Sequence, residues 1–535
     1  MQGSTVSTIH PEQREQFCQL QAQLRHRWQS VNHHDRADCD ILVVPSLSLD
    51  QQELQKVAGV HYYEERLLFS LIRLRNPHTR LIYVTSQPIH PSVIDYYLQL
   101  LPGVPFSHAR ERLLLLCTYD TSHKPLTQKI LERPRLMARL RQAIRQDRAY
   151  MTCFNSTVLE RELAIQLDIP LLGVDPELLY WGTKSGSRQI FAEANLPHPD
   201  GSELMWTVED LAGAASALWE RQPQLQRIVV KLNEGFSGGG NALLDLRSLP
   251  EIAPNRATAS QRSAALQQHF GSMSFQSSSE TWQQFSQRIP QLGAIVEAFV
   301  EGEEKRSPSV QGRITPTGEV EILSTHDQIL GGPDGQIFLG CRFPADEAYR
   351  LPLQEYGLRI GHNLAQKGAL ERFGLDFIAV RQPDGSWELQ AIEINLRKGG
   401  TTHPFMTLKL LTYGQYNLST GLFYSQQGSP KYYVATDNLH KDSYAGLLPS
   451  DLMDIIAQNH LHFNSTTETG TVFHLIGCLS EFGKLGLTSI GNSPAEAEAI
   501  YNNVIQALDA ETQTGLITDF SLSVPTFRNT WNGQK

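Results

Sequence analysis

Glu393, Asn395 and Arg397 follow one another at intervals of two in the stretch Leu389–Pro404, which reads Leu-Gln-Ala-Ile-Glu-Ile-Asn-Leu-Arg-Lys-Gly-Gly-Thr-Thr-His-Pro. On a strand, that spacing projects all three side chains from one face, with Ile392 and Ile394 turned to a core behind. A carboxylate and an amide oxygen are hard ligands suited to Mg²⁺. Arg397, as far as the strand persists, sets a guanidinium beside them, a partner for phosphate or carboxylate. Upstream, the apolar run Phe373–Arg381 contains one acid, Asp376. The turn Gln382-Pro-Asp-Gly-Ser386 joins the two runs into a hairpin, so Asp376 can lie across from Glu393. Two carboxylates and an amide on one hairpin face are costly to gather unless a cation holds them. The plain alternative is an acid at a strand end and a solvated strand face.

Other segments carry compatible chemistry. Lys184 stands at the entry of a helix running to Ala194, where an ammonium beside free N–H groups suits a phosphate; alone, it reads as a surface lysine. The strand Ile228–Leu232 carries Lys231 and runs into Asn233-Glu-Gly-Phe-Ser-Gly-Gly-Gly-Asn241 and then Ala242-Leu-Leu244. Strand, glycine loop, strand predicts a hairpin flap whose bare backbone at Ser237, Gly238, Gly239 and Gly240 can approach polyphosphate oxygens. The order GxxxxGK[ST] is absent, so this is not a Walker loop. Ala294–Glu304 predicts an apolar strand ending in acids. Its free backbone at Phe299 and Val300 can serve an adenine edge, and acids just beyond can accept from ribose hydroxyls; out of context it is a charged strand boundary.

The elements that must position these groups are legible in outline. Residues up to about Leu172 alternate apolar runs (Ile41–Pro45, Leu81–Thr85, Leu113–Cys117) with helical spacing at Tyr62–Arg75, Pro91–Leu101, Leu126–Arg145 and Thr157–Leu167. This predicts an open α/β sheet with helices on both faces. No GxGxxG supports a dinucleotide site there. A helix is predicted over Thr207–Arg221. Asn255–Arg288, rich in Ser and Gln, reads as a surface insertion with some helix and no chemistry. Ser309–Arg313 and Glu319–Thr325 read as strands, Ile329–Gln336 as a turn-rich loop, and Tyr349–Phe373 as a helix. The segments Val472–Cys478, Gly483–Gly491 and Pro494–Ala507 read as a small α/β completion of the same domain.

At 535 residues, two to four domains are expected. Hydrophobic content of 40% and charged content of 19% describe a globular protein, and a net charge of −10 argues against a general nucleic-acid binder. The six cysteines lack metal-type spacing and read as reduced thiols of a cytoplasmic protein. Neither a secretion signal at the N-terminus nor a membrane-length apolar run is visible.

The ordered set Lys184, Lys231 with the glycine flap, Glu297 to Glu304, Asp376 and Glu393-x-Asn395-x-Arg397 resembles the ATP-grasp superfamily of carboxylate–amine ligases. The Gly-Gly-Thr-Thr-His-Pro ending and the Ser324-Thr-His-Asp-Gln328 segment resemble most the peptide ligases related to the pheganomycin-forming enzyme. The resemblance implies an α/β fold: an N-terminal pre-ATP-grasp open α/β domain (1–180), then a two-lobed ATP-grasp α+β domain. Its small lobe with the glycine flap would span 181–300, and its large lobe with the metal site 301–535. It further implies that Lys184 and Lys231 contact ATP phosphates, that Ser237–Gly240 close over them, and that Glu297, Phe299 and Val300 meet the adenine. Glu304, with Glu303 as rival, would take the ribose. Asp376, Glu393 and Asn395 would hold two Mg²⁺ (or Mn²⁺) ions, and Arg397 would stabilise the transferring phosphate. The implied reaction makes an acyl phosphate and ADP, after which an amine displaces phosphate. An ATP-grasp kinase or carboxylase and a non-catalytic ATP-binding protein are the other readings. The implied partners are a small-molecule carboxylate and amine, without nucleic acid or membrane; a homo-oligomer is compatible with the sequence. Substrate identity is expected to reside in the loop Leu330–Arg342 and the N-terminal domain. Arg342 there reads first as a structural salt bridge.

Overall fold

The computed structural model describes residues 11–32, 38–235, 240–275, 280–331 and 337–514. Three sheets organise them. The first is parallel and contains Asp40–Val44, Arg80–Thr85, Leu113–Cys117, Ala149–Cys153 and Leu171–Leu172, with the Asp40–Val44 strand central between Arg80–Thr85 and Ala149–Cys153. The interior of its central strands is apolar because both faces are covered. Ile41, Val43, Leu81 and Tyr83 enter one core, and Leu42, Val44, Ile82 and Val84 the other. The helical run from Tyr62 forms as a 3-10 helix, Val60–Arg75. The single helix expected over Leu126–Arg145 is two, Leu126–Leu131 and Pro134–Ala143, since Pro134 has no N–H to continue the first and sits in the opening turn of the second.

The second sheet is antiparallel and orders Ser274–Phe275, Asn241–Asp245, Arg227–Leu232 and Ala294–Ala298. The helix Val208–Arg221 covers it, together with Ala259–His269 and Trp282–Leu292. These last two correct the reading of Asn255–Arg288 as a surface insertion. Leu266, Phe270, Phe285 and Ile289 are fully buried in the core of this layer. Few apolar residues suffice because each pair is four apart on a helix, on one face. Thr258 with Gln261, and Thr281 with Gln284, form capping boxes that start the two helices. Ser277–Ser279 lie outside the described residues.

The third sheet carries the hairpin of Glu371–Arg381 and Trp387–Asn395, with Pro308–Ile314 on the other side of the first strand. It continues through Val320–Gly331, Ile337–Phe343 and Pro430–His440, and the C-terminal strands Gly470–His474 and Lys484–Gly491 complete it. Of the turn-rich loop expected at 329–336, residues 329–331 are strand: Leu330 pairs with Phe338 and Gly331 with Ile337, while 332–336 lie outside the described residues. The helix expected over Tyr349–Phe373 is shorter, Arg350–Gln366, ended by Gly368 at φ 89°. It lies close on the sheet through Gly357 and Gly361. A Cβ on Gly361 would stand 2.4 Å from Val320 Cγ1 and 2.9 Å from the Phe373 ring. No helix among the described residues is long and apolar enough to cross a membrane, and the six cysteines are free thiols.

Candidate functional site

A cavity of about 1130 Å³ opens between the second and third sheets and the segment Lys56–Arg66 of the N-terminal unit, large enough for a nucleotide and a second small molecule. Asp376, Glu393, Asn395 and Arg397 all line it. Asp376 lies directly opposite Glu393 in the hairpin register. Asn395 Nδ2 donates to Asp376 Oδ2 at 2.9 Å, and Gln328 Nε2 donates to Asp376 Oδ1 at 2.7 Å. Lys184, first residue of the helix Lys184–Glu193, reaches Glu393 Oε1 at 2.5 Å. Burial, and then the charge of Glu393, push the Asp376 carboxyl up to about 6. Burial pulls the Arg397 guanidinium below its ordinary value, against the pull of Glu393 and Asp376.

The simple alternation expected for this strand needs one correction. The ladder shifts between Asp376 and Phe377, so that Phe377 pairs with Ala391 and Ile392 is the extra residue. The bulge turns Ile392 to the cavity with Glu393, while Ile394 alone enters the core. The strand ends at Asn395; Arg397 lies beyond it, where its Nη1 donates to the Lys398 carbonyl at 3.2 Å.

The second sheet supplies the opposite wall. On Arg227–Leu232, Ile228, Val230 and Leu232 enter the core, leaving Val229 and Lys231 for the cavity. Lys231 pairs with Glu297, which also accepts from Arg188 Nη1 at 2.9 Å. Burial pushes the Glu297 carboxyl up, but the two cations outweigh it and hold it below its ordinary value. Phe299 and Val300 line the cavity: the Phe299 ring lies 3.9 Å from Arg227 Cζ and 4.4 Å from Lys305 Nζ, and the Val300 carbonyl accepts from Lys305 Nζ at 3.1 Å. Glu304 is not among the cavity's lining residues. It pairs with Arg381 at 3.1 Å and Arg306 at 3.4 Å, and Glu303 is exposed. Ser237, Gly238 and Gly239 lie outside the described residues. Gly240 closes the hairpin neck, its carbonyl accepting from Leu232 N–H at 2.8 Å. Arg342 lines the cavity and pairs with Glu498 at 3.2 Å.

The donor set fits a hard divalent cation. Among the described residues no three His, Cys, Asp or Glu side chains gather as a metal cluster. Asp376 and Glu393 supply two carboxylates, with the Asn395 amide beside them. Mg²⁺ is commonly held by one or two carboxylates and completes its shell with water and substrate phosphate. The Asp376 carboxyl is raised first by burial and then by the charge of Glu393, and a bound cation would favour its ionised form against both.

Sequence reasoning did not single out Gln328 as a partner of Asp376, nor Arg188 as a partner of Glu297. It also passed over Tyr63, Arg66, Asp437 and Lys484, which line the cavity as well. A charged residue inside an apolar run, as for Arg66 in Val60–Arg75, was the one signal on offer.

Residues 176–419 match the family model described as IQCH-like, ATP-grasp, and residues 451–504 match the PGM1 C-terminal domain. Over residues 176–419 the chain is therefore similar to the ATP-grasp superfamily. Among its relatives is the L-propargylglycine–L-glutamate ligase of Streptantibioticus cattleyicolor, 29% identical over 477 residues, covering 87% of this chain and 93% of that protein. The IQ motif-containing protein H of Danio rerio is 26% identical over 447 residues, which are 76% of this chain and 42% of that longer protein. The crystal structure of a biotin carboxylase–β,γ-ATP complex from Campylobacter jejuni aligns with a TM-score of 0.52 and 13% identity, covering 90% of this chain and 96% of that one, and shares the fold.

Proposed function

We propose that this chain is an ATP-dependent ligase that joins a carboxylate to an amine and releases ADP and phosphate. The observation that carries this is the cavity wall on which Asp376, Glu393, Asn395 and Arg397 converge with Lys184 behind Glu393. The ligase among its relatives supports the same reaction class. Amino acids are the first substrates to consider.

In the reaction, an oxygen of the substrate carboxylate attacks the γ-phosphorus of ATP, and the bond from that phosphorus to the ADP oxygen breaks. The amine nitrogen then attacks the acyl carbon, the carbon–oxygen bond to phosphate breaks, and the nitrogen loses a proton. Such chemistry needs positioning and charge neutralisation more than a covalent nucleophile. Mg²⁺ held by Asp376, Glu393 and Asn395 would neutralise phosphate charge. Lys184 balances Glu393 and keeps it oriented. Arg397 brings a planar, dehydrated guanidinium whose fork can span two phosphoryl oxygens as charge builds. Lys231, Phe299 and Val300 form the wall that would receive the nucleotide base and phosphates; Glu297 orients Lys231. A role for Glu304 at the ribose would need its pairs with Arg306 and Arg381 to open.

The three sheets support division into an N-terminal unit of residues 1–180, a small lobe of 181–300 and a large lobe of 301–535. The free thiols favour a reducing, cytoplasmic setting. The test is a screen of paired L-amino acids, with L-glutamate first as the amine, for ADP release that requires both substrates and Mg²⁺ or Mn²⁺, followed by product mass. Stoichiometric AMP and pyrophosphate would overturn the reading.

A further inference from the structure

One part of the cavity wall is cationic, and the phosphoryl-transfer chemistry does not use it. It is built from the N-terminal segment carrying Tyr63 and Arg66 and from C-terminal strands carrying Asp437 and Lys484, all lining the cavity. Arg66 pairs with Asp437, and its Cζ packs 3.7 Å from the centroid of the Tyr63 ring. Its buried Nε has no hydrogen-bond partner. Lys484 is 4% exposed. Its ammonium donates to Tyr63 Oη at 2.9 Å and to the Ala58 carbonyl at 3.4 Å, and stands 4.9 Å from the same ring. Both of its partners are neutral, and no carboxylate among the described residues pairs with it. Two sequestered cations therefore lie against one aromatic ring while only Arg66 has a carboxylate partner, an imbalance of one positive charge.

The backbone is shaped for this part of the cavity as well. The ladder between Pro430–His440 and Lys484–Gly491 loses register between Thr436 and Leu439, and the interrupting residues Asp437 and Asn438 both line the cavity. Bulges of this kind re-aim side chains beside sites. An uncompensated cation in a sequestered place is costly unless an anion arrives to meet it. Arg66 and Lys484 offer that anion a guanidinium N–H and an ammonium.

The geometry points to a carboxylate-binding subsite in which Arg66 and Lys484 hold the free carboxylate of the amine substrate, making that substrate an α-amino acid rather than a simple amine. This rests on the ligase reading above. The carboxylate that is activated loses its charge to the acyl phosphate, so a lasting cationic site serves a carboxylate that stays ionised throughout. An α-amino acid presents one two bonds from its attacking nitrogen. A second carboxylate on the activated substrate would meet the same two cations, and the assay separates the two.

Wild type and Lys484→Met are assayed by ADP release and product mass with pairs of L-amino acids. The assay is repeated with the α-carboxamide of whichever amino acid supplies the nitrogen. Wild type should favour the acid over its amide by roughly tenfold to hundredfold in kcat/KM, the range of a charged hydrogen bond. Lys484→Met should lose that preference through KM for the amino acid, with KM for ATP within about twofold. Arg66→Lys, which keeps a charge opposite Asp437, should reduce the preference without abolishing it, and thermal melting monitors the fold of both variants. Equal use of acid and amide by wild type overturns the subsite and needs no variant. So does a preference that survives in Lys484→Met, or one that follows a second carboxylate on the activated substrate. No ligation by wild type with any amino-acid pair overturns the ligase reading and the subsite together, and shows itself before any amide is used.

Discussion

Asp376 sits partly buried in the central hairpin, opposed by Glu393 and, among the described residues, given hydrogen bonds by two amides. Burial, and then the charge of Glu393, push its carboxyl up to about 6 in the folded chain, above the ordinary aspartate value of 3.8. The folded state thus holds the proton more tightly than the unfolded state does. The resulting penalty is absent below pH ~4, grows as pH rises toward 6, and is complete above it. Without metal or nucleotide, Asp376→Asn should gain stability relative to wild type between pH 4.5 and 7.5. The gain is up to about 2 kcal/mol, reduced by whatever screening the cavity water provides. Urea denaturation at the two pH values measures it, and taking the difference cancels the similarly raised Glu64 and Glu65. Arg397 tests the other half of the site. Arg397→Lys keeps the charge and loses the fork. Its kcat should fall on the order of 100-fold with nucleotide affinity by calorimetry little changed, the pattern of a contact made in the transition state. A near-normal rate would make Arg397 a scaffold for Glu393 and Asp376 instead.

At the scale of elements, the hairpin was legible because two apolar runs flank a Pro-Asp-Gly turn, and its register follows from that turn. The bulge at Ile392 was not legible, since a period of two reads the same until one residue is skipped. The helices at Ala259–His269 and Trp282–Leu292 were hidden by their Ser and Gln content, although each opens on a Thr-x-x-Gln capping box. Glycine contacts were equally invisible. Phe373, three residues before Asp376, sits where a Cβ on Gly312 would come within 2.1 Å of its ring and one on Gly361 within 2.9 Å. Gly361→Ala should therefore destabilise the protein by about 1–3 kcal/mol in chemical denaturation, the usual cost of forcing a methyl into a packed core. Its helical φ means that backbone strain adds nothing to that figure.

For the molecule as a whole, the α/β class and the alternation of the first sheet could be read from composition and spacing. The cationic part of the cavity wall could not: Arg66 and Asp437 are 371 residues apart and meet only when the N-terminal unit folds back on the last strands. The joint between the first and second sheets is likewise a product of distant charges. Arg288 pairs with Glu53 and, at 3.2 Å, with Asp50, while Lys56 pairs with Glu53 at 2.8 Å and with Glu280. Arg288→Met should cost about 3 kcal/mol in thermal or urea unfolding, because it strips a buried carboxylate of one cation. A loss below ~1 kcal/mol would show the joint to be ornamental.

Lys56 also borders the cavity. An anionic ligand that drew its ammonium away from Glu53 and Glu280 would spend part of its binding free energy on the joint between the sheets. The stiffness of that joint and the affinity for the ligand are then two readings of one coupling free energy. By reciprocity, opening the joint changes the ligand's dissociation constant by the same factor by which the bound ligand shifts the joint's opening equilibrium.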